Sequence, residues 1–198
     1  MFSTEPMREI IIDNNISEKY KFEWIAPERT GSRKVAEVLS YYGFKRDNQP
    51  IFMTGSYNHG HVVKFNELYS GYKVICNARN PYGRVYSIFK NFYKRMWGKS
   101  MVEFKQYLTN ELIQGQTLEM VLSPEPNRSY DYVVRLEHMV DDLLKLPFIS
   151  DVLTETQLKM ICSHGKEIED WREFYDDEMK EIVYNLTKYQ FEKWGYEK

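Results

Sequence analysis

The sequence predicts an α/β domain: a three-layer arrangement in which a short parallel sheet is flanked by helices, closed by a helical C-terminal third. Three observations predict it. Apolar runs of strand length alternate with stretches whose apolar residues repeat at the helical period, the pattern of βαβ units with a buried parallel sheet. Beyond residue 138 only helical-period segments follow. The chain has 198 residues, 42% of them apolar and 16% aromatic, enough for one core, so residues 1–198 are read as a single domain.

Each element follows in order. "KFEWIAP" (Lys21–Pro27) is a short buried strand, and "ERTGS" after it is a polar turn. From Ser32 the period becomes helical, with Val35, Val38, Leu39 and Tyr42 at i, i+3, i+4 and i+7. Gly43 is suited to ending that helix. "IFMTG" (Ile51–Gly55) is a second strand, "SYNHGH" a loop and "VVKFNELY" a short helix. "YKVICN" (Tyr72–Asn77) is a third strand. Asn80 can cap the next helix and Pro81 suits its first position. Val85, Ile88, Phe89, Phe92 and Met96 give that helix an apolar face. "MVEFKQYLTNELIQG" is helical, "SPEPNRS" (Ser123–Ser129) a loop, and "YDYVVRLE" (Tyr130–Glu137) a fourth strand. Helices are expected around 138–146, 154–163 and 176–193.

Composition narrows the function classes. Lysine and arginine total 27 against 29 acidic residues, a formal charge of −2, which excludes a general nucleic-acid binder but not a local basic pocket. The cysteines, Cys76 and Cys162, lie far apart in sequence and form no disulfide framework. No apolar leader opens the sequence and no run approaches the ~20 residues of a membrane helix, so a cytoplasmic protein without a membrane span is expected. The oligomeric state is not legible.

Two segments carry anion chemistry. "PERTGSRK" (Pro27–Lys34) stands where a strand feeds a helix, whose N-terminus offers unpaired N–H groups and a partial positive charge. Gly31 permits close backbone approach, Ser32 adds a hydroxyl, and Arg29 and Arg33 add charge. The unit resembles a phosphate-binding, P-loop-like turn. The Walker spacing Gly-x-x-x-x-Gly-Lys-Ser/Thr is absent. An ordinary turn capped by Ser32, with solvated arginines, is the competing reading.

The second segment is "RNPYGRVYS" (Arg79–Ser87). Arg79 lies at the carboxyl end of a strand, the edge where open α/β sheets bind ligands. Arg84, Ser87 and Asn91 share a helix face opposite the apolar stripe. Arg79 and Ser87 can grip one phosphate together, through a guanidinium fork and a hydroxyl. A solvated helix face would carry the same residue types.

The two segments together resemble the PAPS-dependent sulfotransferases, where PAPS is 3′-phosphoadenosine 5′-phosphosulfate. "PERTGS" is similar to the family's Pro-Lys-x-Gly-Thr/Ser loop. "RNPYGRVYS" matches its Arg-(Asn/Asp)-Pro-Tyr-x-Arg-x-x-Ser motif throughout. "YDYVVRLEHMVDDL" and the closing "FYDDEMKEIVYNLTKYQFEKWGY" are similar to later family segments, so the likeness runs from about residue 21 to 196. The resemblance implies that Arg29, Thr30, Gly31, Ser32 and Arg33 hold the 5′-phosphosulfate, and that Arg79 and Ser87 hold the 3′-phosphate. Arg29 stands where the family has Lys, and Arg33 where a small hydroxyl residue is common. The donor implied is PAPS, with no metal, and the acceptor a hydroxyl, on a carbohydrate.

Sulfuryl transfer to an alcohol needs a proton acceptor, and histidine serves near neutral pH. "NHGHVVKF" holds two of the four histidines. It resembles the His-Gly-His-Val segment of the uronyl 2-O-sulfotransferases, which implies His61 as general base, with His59 the second candidate. A helix cap or a core histidine is the structural alternative. Arg29 would meet the charge that develops on the bridging oxygen. Glu137 can orient a histidine or an acceptor, or pair with an arginine of the fold. Lys166 and Arg172, in the polar "SHGKEIEDWREFY" (Ser163–Tyr175), are candidates for closing over the nucleotide. Two other functions stay open at this point. One is an atypical P-loop nucleotide or small-molecule kinase, with Asp131 the nearest acidic metal ligand. The other is a sulfotransferase-like protein that binds nucleotide without turnover.

Overall fold

The computed structural model describes residues 15–46, 49–50, 71–94, 104–112, 117–122, 129–163 and 170–198. The strand expected at Ile51–Gly55 and the short helix after it lie outside these residues.

The strands are β1 (Asn15–Ser17), β2 (Phe22–Ile25), β3 (Lys45–Arg46), β4 (Gln49–Pro50), β5 (Lys73–Ala78) and β6 (Tyr132–Arg135). They form one sheet in the order β4-β3-β1-β2-β5-β6. Helices flank it: α1 (Ser32–Ser40), α2 (Pro81–Ile88), α3 (Phe104–Gln106), α4 (Thr117–Leu122), α5 (Met139–Leu143), α6 (Glu155–Ser163) and α7 (Asp177–Trp194). The chain runs on from α2 and α3 as π-helical turns, Phe89–Lys94 and Tyr107–Glu111.

The expected parallel sheet is mixed. β2, β5 and β6 are parallel, in the registers Ile25↔Cys76 and Cys76↔Val133. β1 is antiparallel to both β2 and β3, and β3 to β4. The reason is the connection: a turn over residues 18–21 joins β1 to β2, and so short a link can only make a hairpin, because a parallel crossover needs a dozen residues or more. Lys21 closes this turn at φ 59.

Alternation along the strands separates two cores. Phe22, Trp24, Ala26, Ile75 and Val134 join one cluster with α1, α5 and the chain to Leu158. Ile25, Val74, Cys76 and Ala78 take the opposite face. A second, strongly aromatic cluster joins α2, α3, α4 and α7. In it Tyr82 meets Tyr175 and Phe191 edge-on, with ring centroids 5.4 and 5.0 Å away.

Local signals set the helix ends. Asn80 caps α2, its side chain accepting from Tyr82 N at 3.1 Å, and Pro81 takes the first position. Asp176 caps α7 by accepting from Met179 N at 2.8 Å, and Gly195 ends it at φ 71. The helix expected at 138–146 is shorter, because Leu136–His138 forms a tight 3-10 turn before α5.

That turn is fixed by Asp142. Its buried carboxylate accepts from Arg135 N (3.0 Å), Nε (2.8 Å) and NH2 (3.0 Å) and from Lys145 Nζ (2.6 Å), tying the end of β6 to α5. Burial alone would raise its pKa, but the Arg135 and Lys145 bonds reverse that and lower it from 3.8 to about 2. A depressed folded pKa contributes stability that is present above the unfolded value and lost as pH falls through the folded one. Asp142→Asn should therefore cost roughly 3 kcal/mol at neutral pH. In urea titrations its gap from the wild type should close as pH falls from 3.8 towards about 2. A gap that stays constant across that window contradicts this role.

Candidate functional site

β2 and β5 are neighbouring parallel strands in register, so their following loops emerge side by side at the carboxyl edge of the sheet. The first loop winds through two left-handed residues, Arg29 at φ 64 and Gly31 at φ 80. Thr30 is buried and donates through Oγ1 to Pro27 O at 2.6 Å, closing the turn. Glycine suits position 31, where the backbone is one that side chains rarely adopt. Besides its φ, an added Cβ would stand 2.6 Å from Leu136 Cδ1 and 3.1 Å from Met139 Cε. Gly31, not Ser32, is the cap of α1, and it makes no side-chain cap bond; Ser32 is the first helical residue and is buried. Arg33 is exposed on the first turn.

The second loop meets the first. Arg29 Nε donates to Ser87 Oγ at 3.1 Å, and Arg79 NH1 donates to Arg29 O at 3.4 Å. Burial lowers the pKa of Arg79; Glu137 acts to raise it and Arg29 to lower it further. Its Nε is buried with no hydrogen-bond partner. Glu137 accepts from Asn80 N (3.0 Å) and from Tyr196 OH (2.6 Å), so its carboxylate fixes the start of α2 and the end of the chain.

Arg84 overturns the expectation of a polar face turned away from the core. It is 1% exposed and every residue of α2 is buried. Its Nε donates to Glu28 O at 2.9 Å and its NH1 to Val121 O at 3.2 Å and Gln190 Oε1 at 3.4 Å, while the Trp194 ring lies 5.9 Å away. Burial lowers its pKa to about 10. It is a strut holding the first loop against α4 and α7. Asn91 returns its amide to Ser87 O at 2.8 Å. Burial raises the Glu28 carboxyl, against the pull of Arg84 and Arg29, and leaves its Oε2 without a hydrogen-bond partner.

Gly83 is the other glycine the site requires: a Cβ there would meet Trp171 Cδ1 at 2.7 Å, and Arg79 Nε lies 3.4 Å from the same point. Trp171 leans on Tyr82, centroid to centroid 5.2 Å. Arg172 is exposed, pairs with Asp170 at 3.1 Å and lies 4.8 Å over the Trp171 ring. His59, His61 and Lys166 lie outside the described residues.

Thus Arg29, Arg79 and Ser87 come together, with Thr30, Gly31 and Ser32 shaping the loop beneath. Sequence reasoning missed the structural role of Arg84 and the parts played by Glu28 and Gly83. No sequence signal separated Arg84 from a solvated helix arginine, because it shares a polar face with Ser87 and Asn91. Asp131, the acidic residue a kinase would use, accepts from Val74 N at 2.8 Å before β6 begins, at the opposite edge of the sheet from Arg29 and Arg79. Among the described residues no group of three or more His, Cys, Asp or Glu side chains is placed to hold a metal, and no helix is long and apolar enough to cross a membrane.

The chain matches no family model, no curated protein and no solved structure.

Proposed function

We propose that this chain is a PAPS-dependent sulfotransferase with a P-loop-like core, moving a sulfuryl group to a hydroxyl acceptor on a carbohydrate. The observation that carries this reading is the 3.1 Å contact between Arg29 and Ser87, residues 58 apart in sequence, one from each anion motif. The contact joins the two motifs at the carboxyl edge of adjacent parallel strands, the edge where open α/β sheets take ligands.

The residues present suit a nucleotide with phosphates at both ends of a ribose. Two guanidinia lie close enough to repel, and Arg79 keeps a buried Nε without a partner. A multiply charged anion relieves both conditions. The 3′,5′-substituted donor supplies an activated sulfuryl group. What the chain supplies is position and charge. Arg79 and Ser87 hold the 3′-phosphate, and the Thr30–Ser32 backbone and the α1 N-terminus cradle the 5′ end. Arg29 meets negative charge as it grows on the bridging oxygen. Glu137 holds the start of α2 and Arg84 the first loop. His61 takes the proton from the acceptor hydroxyl, with His59 beside it in sequence. The absence of Walker spacing and the position of Asp131 favour this chemistry over magnesium-dependent phosphoryl transfer.

The test is transfer of labelled sulfate from PAPS to a panel of carbohydrate acceptors in excess chelator. Turnover that survives chelation is expected. Nucleotide binding without turnover on any acceptor would instead make the chain a binding protein, and strictly magnesium-dependent phosphoryl transfer from ATP would overturn the reading.

A further inference from the structure

We propose that Tyr196 is a positioning residue of the anion site: its hydroxyl holds the Glu137 carboxylate off Arg79, so that Arg79 stays open to a phosphate. The inference rests on the sulfotransferase reading, which makes that phosphate part of a nucleotide, and deepens it by adding the end of the chain to the site.

The fold brings these three residues together. β6 lies beside β5 with Arg135 opposite Ala78, so Glu137 and Arg79 both follow at the carboxyl edge of the sheet. α7 ends at Gly195, in the left-handed region at φ 71, and Tyr196 N returns to Phe191 O at 3.0 Å. That turn delivers the Tyr196 hydroxyl to Glu137 Oε2 at 2.6 Å, across 59 positions of sequence. Glu137 Oε1 accepts from Asn80 N at 3.0 Å. One donor on each oxygen fixes the plane of the carboxylate.

Arg79 is largely withdrawn from water, and Glu137 is the main group favouring its charged form. A charge held out of water is ordinarily paired. Among the described residues Arg79 makes no ion pair: NH1 donates to Arg29 O, and the buried Nε has no hydrogen-bond partner. The carboxylate that would take it is committed to Asn80 and Tyr196. Burial, and after it the Glu137 carboxylate, hold the Tyr196 pKa well above the ordinary tyrosine value, so the hydroxyl keeps its proton and donates throughout the neutral range. Without that hydroxyl, Glu137 Oε2 is free to turn to a cation. Arg135 is engaged by Asp142 through Nε and NH2, which leaves Arg79. An Arg79–Glu137 pair would compete with a phosphate for one guanidinium.

Calorimetry with 3′,5′-adenosine bisphosphate tests this on wild type, Tyr196→Phe, Glu137→Gln and the double variant. Phenylalanine keeps the ring, and melting temperatures should confirm that all four fold. Tyr196→Phe should weaken binding about tenfold. In the Glu137→Gln background the same substitution should change affinity by less than about twofold, because no carboxylate remains to capture Arg79. Losses of equal size in the two backgrounds are what a purely structural tyrosine gives, and they overturn the proposal, as does an unchanged affinity in Tyr196→Phe. Should the wild type not bind the bisphosphate, the sulfotransferase reading fails, and thermal unfolding decides the proposal without a ligand. Arg79→Met should lower the melting temperature more in Tyr196→Phe than in wild type, since only there is an ion pair lost; equal shifts overturn it.

Discussion

Replacing His61 with alanine should lower turnover by ~10²–10⁴, the usual worth of a positioned general base. On the proposed reading the base meets the acceptor and not the nucleotide, so affinity for 3′,5′-adenosine bisphosphate should hardly change. A base must be neutral in the resting complex. The rate should therefore fall on the acidic side, near the ordinary histidine pKa of ~6.5, and that limb should vanish in the variant. His59→Ala should have the smaller effect. If His59→Ala abolishes turnover while His61→Ala retains it, the roles are exchanged. If both variants keep near-normal rates and the acid limb persists, neither histidine is the base. Glu137 would then be a poor replacement, since Asn80 N and Tyr196 OH occupy its two oxygens. Glu28 would be the better one, a carboxyl lifted by burial with one oxygen lacking a hydrogen-bond partner.

The parts of the fold legible in the sequence are those whose cause is local. The short apolar run in Lys21–Pro27 announces β2, the Asn80-Pro81 pair announces the start of α2, and the helical period over 176–193 announces α7. β1 and β3 were not legible. At three and two residues they are too short to carry a period, and pairing with neighbours defines them. Their antiparallel edge is what makes the sheet mixed.

The candidate site divides in the same way. Each anion segment is visible by itself, because glycine, hydroxyl and arginine cluster within a few residues. Their meeting is not, because the Arg29–Ser87 bond spans 58 positions and depends on β2 lying beside β5. The burial of Arg84 was illegible for a related reason. An arginine on a helix is ordinarily solvated, and only the packing of α4 and α7 over α2 supplies the carbonyl of Val121 and the amide of Gln190 that satisfy it.

The central claim is that Arg79 and Ser87 grip a 3′-phosphate. Arg79 is largely withdrawn from water, faces the like charge of Arg29 and leaves a buried donor without a partner. A phosphate there gains charge-assisted bonds in a site already partly desolvated. Losing such a bond costs about 1.5–3 kcal/mol, or roughly 10- to 150-fold in affinity. Arg79 also holds the Arg29 carbonyl, so a general loosening of the first loop must be told apart from loss of the phosphate contact. Two ligands make that distinction: 3′,5′-adenosine bisphosphate carries the 3′-phosphate, and adenosine 5′-phosphosulfate does not. The decisive measurement is calorimetry of both, without added metal, on wild type and Arg79→Ala. The account predicts metal-free binding of the bisphosphate by the wild type, weakened about 10- to 150-fold in Arg79→Ala, with the phosphosulfate nearly unchanged. Equal losses for the two ligands, or no binding of the bisphosphate by the wild type, would contradict it.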